Sequence, residues 1–460
     1  MKRIFGILIL ASSLAMACGG ETASENGANA SQSGDQPTNS GQTNQSPTNS
    51  GNPGGDEYDG PTYFGDIKPM MLAHCTECHM PGGIAPFPLQ NYEEVKAVSA
   101  ASHLSMVHET MPPWPPNDDC ADFKDSRGMT TAEIDLFEEW MDAGHPKGEP
   151  SAETEDVTQP SINLGEPDVI LDWGVSYRPT PPNENSIDDY RCFVVDPELD
   201  EDKFVNLIHT RPDNDKVVHH MIAYTAPASS AEQIAQLEAE DDRPGYECFG
   251  GPRVSNNRWL SAWAPGEVPT PFAEGAGIRL EKDTKIIIQM HYNTVNDPEG
   301  TDQTQVDLHF LDLDKYPEPT ELVIIPLADT DLFVAAGDPE GSTTMSAPQL
   351  PLTITVHGVF PHMHVLGTSI TLTAETNDGH VCLMDVPNWD FGWQGFYMYE
   401  EPIALPPMAR VEQTCYFDNS ASNQAPGQTP RDVYWGDGTY DEMCLSVIIA
   451  ELPPEAAGLF

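Results

Sequence analysis

Hydrophobic positions follow four successive patterns along the chain, and each predicts a different local structure. Residues 4–14 form a short apolar run behind Lys2 and Arg3. Residues 19–60 are Ser, Asn, Gly, Gln, Thr and Pro with almost nothing apolar. Such a segment cannot bury enough surface to offset its ordering entropy, so it is expected to be a flexible tether. Residues 61–148 take up helical spacing. Asp66 is placed to cap a helix running towards His74, and 92–107 predict a second helix. Thr130 and Glu133 form a capping box for a third, whose Ile134, Phe137 and Met141 share one face before Gly144 stops it. A Pro- and Glu-rich linker covers 149–160. Beyond it, strand-like runs at 204–208, 217–224, 285–292, 305–311, 352–359, 369–374 and 442–450 alternate with Gly, Pro, Asn and Asp turns. That alternation points to antiparallel sandwiches. The stretch is longer than one sandwich needs, and Pro317-Glu318-Pro319 divides it into 161–316 and 317–456. The expected architecture is a small all-α domain at 61–148 followed by two all-β antiparallel sandwich domains.

The 460-residue length agrees with about three domains. The apolar run near the start is too short to span a bilayer. With its basic start and the small residues leading to Cys18, it predicts an export signal over 1–18. Leu14-Ala15-Met16-Ala17-Cys18 resembles a bacterial lipoprotein signal with the usual leucine displaced by one position. That resemblance implies lipidation of Cys18; the alternative is cleavage to a soluble secreted protein. No later segment is long and apolar enough to span a membrane. The expected location is therefore the cell envelope, with membrane contact only through a lipid anchor. Asp and Glu total 73 against 21 Lys and Arg, a net charge of −52. Such a balance repels nucleic acid and anionic lipid surfaces, and its even spread along the chain describes a solvated exterior. Nine cysteines in an exported chain suggest disulfides.

Cys75-Thr76-Glu77-Cys78-His79 fits the c-type haem pattern, in which two thiols bond covalently to the haem and the histidine ligates iron. A redox CxxC would expect a βαβ context, and a zinc site would expect a second Cys or His pair nearby. Here the motif ends a short helix instead, with a later helix available to pack back on it, as in cytochromes c. Met111, in Met111-Pro112-Pro113-Trp114-Pro115-Pro116, is the preferred sixth ligand, because prolines hold a stiff loop that can present a thioether. Met106, His103 and His108 compete with it.

Histidines dominate the later chemistry. His362 and His364 are two apart, so on a strand both rings project to one face and can reach one metal. His219 and His220 are adjacent, and adjacent strand residues point to opposite faces. They share a metal only at a bulge or strand end, or if one ring turns to use its other nitrogen. His291 lies in Gln289-Met290-His291-Tyr292. Taken alone, the HxH is weak evidence that often marks surface histidines, the adjacent pair reads better as structural histidines, and His291 is unremarkable.

The combination and order of these pieces resemble the copper type II, ascorbate-dependent monooxygenases, the family of the peptidylglycine α-hydroxylating and dopamine β-hydroxylating enzymes. The likeness covers roughly residues 185–450. It implies two β-sandwich domains with one copper each: an electron-transfer copper on His219, His220 and His291, and a dioxygen-activating copper on His362, His364 and Met443 of Glu442-Met443-Cys444. A soft thioether favours Cu(I), the form that meets dioxygen. The likeness also implies disulfides Cys192–Cys248 and Cys415–Cys444, and leaves Cys120 and Cys382 unassigned. Gln289 is compatible with a role beside the first copper or a purely structural one.

The implied activity is hydroxylation of a substrate C–H bond by dioxygen, with electrons from the fused haem, from ascorbate, or from both. The sequence departs from the peptide-amidating enzymes at the substrate. Phe360 stands where they carry an arginine, and Leu445 and Val447 where they carry asparagine and tyrosine. This predicts a small, largely apolar substrate. A non-catalytic envelope lipoprotein that relays electrons or handles copper is the alternative. Multicopper oxidase chemistry is excluded by the single HxH and the lack of HCH, and zinc hydrolysis by the lack of HExxH.

Overall fold

In the computed structural model, the described residues are 58–453 except 82–84, 118, 151–163, 184–185, 266, 268, 350, 425–427 and 439. The export signal, Cys18, positions 19–57 of the tether and most of the 149–160 linker lie outside the described residues. The described residues from Pro61 onward belong to one compact unit.

Among the described residues, three α-helices precede the strands. A π-helical turn, Tyr63–Ile67, runs directly into Lys68–His74. Its cap is Thr62, whose hydroxyl accepts from the Gly65 N–H at 3.1 Å, and not Asp66. Asp66 instead reaches back to accept from the Thr62 N–H at 2.8 Å. Tyr92–Val107 is capped by Asn91, and Thr131–Asp142 carries the expected capping box of Thr130 and Glu133. The helices meet around Tyr63, Ile67, Phe137 and Trp140, all buried.

The expectation of an all-α haem domain standing ahead of two sandwiches is corrected. Among the described residues there are only four α-helices, the longest of 16 residues, and the molecule is mostly β-sheet. The segment after Val107 explains why the helical region is not a separate all-α domain. Its prolines prevent a helix from continuing, and the chain joins the sheets instead. Phe123 makes an antiparallel bridge with Tyr399. Lys124 N–H donates to Met398 O at 2.8 Å, and Glu400 N–H to Asp122 O at 3.0 Å. A disulfide joins Cys120 to Cys382, and Phe123 is buried in the same core as Tyr397 and Tyr399.

The largest sheet has eight strands in the order Val169–Leu171, Gln305–Phe310, Lys203–Arg211, Ala276–Leu280, Thr320–Ala328, Leu445–Glu451, Ile354–His362 and Tyr397–Leu405. Thr320–Ala328 pairs in parallel with Ala276–Leu280 and antiparallel with Leu445–Glu451, so the sheet passes without a break from the earlier strands to the later ones. A five-stranded sheet, Tyr246–Glu247, Asp188–Val195, Lys285–Asn293, Val218–Ala226 and Arg258–Trp263, packs over the early end. A four-stranded sheet, Gly341–Ser346, Arg410–Phe417, Gly367–Thr376 and Gly379–Val386, packs over the late end.

Period-two alternation positions the first candidate site. In Lys285–Asn293, Ile286, Ile288, Met290 and Tyr292 enter the core between sheets, while Ile287 packs on the outer face against the helix Ala231–Ala239. Gln289 and His291 follow Ile287 to that outer face. Disulfides Cys192–Cys248 and Cys415–Cys444 complete the set of three, the mark of folding in an oxidising compartment. Among the described residues no helix is long and apolar enough to cross a membrane.

Candidate metal and haem sites

His219, His220 and His291 converge on one point. His219 Nδ1 and His220 Nδ1 lie 3.2 Å apart, and His220 Nδ1 and His291 Nδ1 lie 3.3 Å apart. His220 sits opposite His291 on the neighbouring strand, and the register slips between Val218 and His220. That bulge resolves the adjacent-histidine problem: Val218 and Met221 both face the inner core, so both histidines between them turn to the outer face. Burial and the neighbouring imidazoles hold His220 and His291 well below the usual histidine range, and burial also lowers His219. Three neutral nitrogens aimed at one point repel unless something positive lies between them. Imidazoles bound at roughly 2.0–2.1 Å in a tetrahedral sphere place their nitrogens about 3.3–3.4 Å apart; the two spacings to His220 match this and all three rings offer nitrogens within 4.8 Å of one another, so the trio could hold a metal ion. Behind it, His291 Nε2 lies 3.1 Å from Asp188 Oδ1, and the Tyr190 ring stacks on His291 at 4.2 Å. Gln289 takes the structural role, donating to Cys248 O at 2.8 Å and accepting from the Tyr224 hydroxyl at 3.2 Å.

His362 is the last residue of its strand and His364 lies just beyond it, so the strand end rather than strict alternation brings the pair together. Their rings are 5.1 Å apart and nearly perpendicular. His362 Nδ1 donates to Gln394 Oε1 at 2.6 Å, and His364 Nδ1 donates to Asp441 O at 3.0 Å. Each bond fixes the tautomer and leaves Nε2 as the free acceptor, which a metal requires. Burial pushes His362 down to about 4 and His364 to about 3. Met443 is buried beside the Cys415–Cys444 disulfide. The Glu442 carboxyl pins the backbone around His364 and Met443, accepting from the N–H groups of His364 at 3.0 Å, Leu366 at 2.6 Å and Met443 at 3.3 Å. Phe360, Leu445 and Val447 form one buried apolar cluster, and the Phe360 ring lies 6.2 Å from that of His362.

The CxxCH segment lines a cavity of about 500 Å³ together with Met106, Met111 and Arg127. His103 and His108 are not among its lining residues. Three observations fit a haem there. His79 Nδ1 donates to Phe87 O at 2.9 Å, freeing Nε2 for iron. Cys75 and Cys78 are free thiols, and burial pushes Cys75 up to about 12, the opposite of a reactive redox thiolate. Arg127 also lines the cavity: its Nε and Nη1 are buried without a hydrogen bond, Nη1 lies 3.9 Å from Glu77 Oε2, and the guanidinium stacks over Trp114, so a cation is held at the cavity wall beside the motif. Met106 is buried, whereas Met111 is 39% exposed in the loop at the mouth.

The sequence reading missed Asp188, Gln394, Asp441, Glu442, Arg127 and Phe391. All except Arg127 are second-layer groups or spacers whose signal is purely spatial. Arg127 carried a faint cue, as a rare cation in an acidic chain.

No family model matches this chain, and no curated protein does. Among solved structures, a Paenibacillus xanthan lyase is similar at 12% identity over 67% of this chain, with a TM-score of 0.18. The chain spans 28% of that protein's length. The VP2 subviral particle of infectious bursal disease virus is similar at 8% identity over 64% of this chain and 74% of its own, with a TM-score of 0.17. Likenesses this slight carry no argument about function.

Proposed function

We propose that this chain is an exported copper-dependent monooxygenase that hydroxylates a C–H bond of a small, largely apolar substrate, with electrons supplied through a bound haem c, by ascorbate, or by both. The observation that carries the reading is the pairing of two imidazole sites, each with one buried histidine, across one ring. Phe391 lies 5.6 Å from His219 and 6.0 Å from His364, with the apolar cluster of Phe360, Leu445 and Val447 adjoining the second site. In this assignment His219, His220 and His291 hold one copper, and His362, His364 and Met443 hold the other. Cys75 and Cys78 bond the haem, and His79 and Met111 ligate its iron. Copper at the two sites would supply one-electron redox chemistry and the reduction of dioxygen.

The protein's own groups account for the rest. Gln394 and Asp441 hold the histidines of the second site in the one tautomer that presents Nε2. Glu442 fixes the backbone spacing between His364 and Met443. The buried Phe360, Leu445 and Val447 cluster beside the second site carries no anion-binding group, which favours an apolar substrate over a carboxylate-bearing one. The imidazoles stay neutral, so protons do not compete for the ligand nitrogens near neutral pH. Anchoring through lipidated Cys18 belongs to the same proposal.

Metal analysis of copper-loaded protein, combined with oxygen uptake over a panel of small hydroxylatable compounds with and without ascorbate, tests the reading. Two coppers per chain and substrate-dependent oxygen consumption are expected, with no protection by peptides ending in glycine. A protein that binds no copper under any loading condition sinks it.

A further inference from the structure

One short segment, residues 389–396, touches all three of the sites described above. Trp393 and Gly392 line the cavity that carries Cys75, Cys78 and His79. The Phe391 ring packs against His219 at 5.6 Å and against His364 at 6.0 Å. Gln394 accepts from His362 Nδ1 at 2.6 Å, and the Trp389 indole N–H donates to the His364 carbonyl at 3.2 Å. Internal bonds make the segment a tight turn rather than a loose loop: Trp393 N–H donates to Asp390 O at 3.0 Å, and Gln394 Nε2 donates to Phe391 O at 2.9 Å. Trp393, at the haem cavity, and Phe391, at the imidazole sites, are therefore two residues apart in chain and tied by hydrogen bonds. Both aromatic side chains are half-exposed, and neither belongs to the two large hydrophobic cores.

We infer that residues 389–394 are the electron-relay segment of this protein, connecting the haem cavity to the His219 site through Trp393 and Phe391. This rests on the haem and copper assignment proposed above and adds to it the path. One electron passes per event. Ferrous haem iron becomes ferric as cupric copper on His219, His220 and His291 becomes cuprous, and no covalent bond is made or broken. A one-electron donor outside the chain, ascorbate or a redox protein, then returns the haem to the ferrous state. The route gives a physical reason for fusing the haem segment to the sheets, because the relay needs the cavity wall and the imidazole sites in one rigid piece. The Cys120–Cys382 disulfide and the Phe123–Tyr399 bridge provide that rigidity.

The test reads the haem rather than turnover. In anaerobic protein with covalent haem and cupric copper, a laser flash in the presence of a photoreductant reduces the haem, and its reoxidation is followed in the haem absorption bands. Trp393→Leu and Phe391→Leu are each expected to slow reoxidation about tenfold or more, with the haem spectrum and the copper EPR signals unchanged. Trp393→Phe, which keeps an aromatic ring, should recover most of the rate. Wild-type reoxidation in the doubly substituted, fully loaded protein overturns the relay. So does equally fast reoxidation in copper-free wild type, since the electron is then going elsewhere. Wild-type protein that takes up no copper, or no covalent haem, overturns the underlying assignment instead, and this is seen by metal and haem analysis before any flash is fired.

Discussion

The two histidine sites are built by opposite means. The His219, His220 and His291 site is embedded in the five-stranded sheet, with three Nδ1 atoms converging through a bulge. The His362 and His364 site sits at a strand end, presents Nε2 atoms, and is held by a side-chain amide, a carbonyl and the Glu442 carboxylate. The groups behind the ligands differ as well. Asp188, a carboxylate, backs His291, whereas neutral acceptors back His362 and His364. A carboxylate behind an imidazole makes it a stronger donor and favours the more oxidised metal; neutral acceptors and a thioether favour the reduced one. In the proposed assignment, the charge-backed site would suit electron storage, and the strand-end site, with Met443 as a soft ligand beside an apolar cluster, would suit oxygen and substrate.

The largest effect expected from that contrast is at Met443. In the proposed assignment, Met443→Ala lowers oxygen-dependent turnover by about 10³-fold, roughly 4 kcal/mol of barrier, while copper remains on His219, His220 and His291. Oxygen uptake with metal analysis measures both, and unchanged turnover would remove the distinction between the sites.

Asp188→Asn should weaken copper at the first site by about 10–100-fold and leave the second unaltered. Competitive chelator titration followed by EPR separates the two. Gln394→Leu should do the reverse, less strongly, because an amide oxygen is the weaker acceptor.

Glu442→Ala leaves the N–H groups of His364, Leu366 and Met443 without their acceptor, at a cost of about 1–3 kcal/mol. Denaturant unfolding should show the loss. The three-histidine site should keep its copper.

The smallest effect tests the sheet interior beside the apolar cluster. Glu267 is half-buried, with its Oε2 fully buried and unpartnered, in a small pocket that shares Ile324 and Phe396 with the Phe360 cluster. Burial pushes its carboxyl up to about 8. The folded state therefore holds a proton that the unfolded chain has released, and stability falls as pH rises from the usual carboxylate range towards 8. Glu267→Gln should match wild type at pH 4 and exceed it by about 1–3 kcal/mol at pH 8. Equal stabilities at both values would count against a buried, unpaired acid.

Much of this molecule was legible along the chain. Helical and alternating periods located the elements, because a period records which face is buried and needs no knowledge of the partner. The strand predicted at 285–292 is observed as Lys285–Asn293, and the capping box of Thr130 and Glu133 forms as spaced. The CxxCH motif is recognisable locally because it spans five residues, and the haem it suggests remains part of the proposal. The disulfide partners of Cys192 and Cys415 followed only from the family likeness, and the partner of Cys120 did not follow at all, since its bond spans 262 residues.

What only the tertiary structure decided lies between elements distant in sequence. The bulge that turns His219 and His220 to one face depends on register against the strand holding His291. The proline-rich segment, which the sequence assigned to an all-α domain, joins the sheet edge because Phe123 finds its burial between Tyr397 and Tyr399. Asp188, Gln394 and Phe391 acquire their positions beside the histidines from packing alone. A sequence fixes local preference and burial pattern by short-range physics. Which distant side chains then share a site is settled by long-range packing and register, terms that no local window contains.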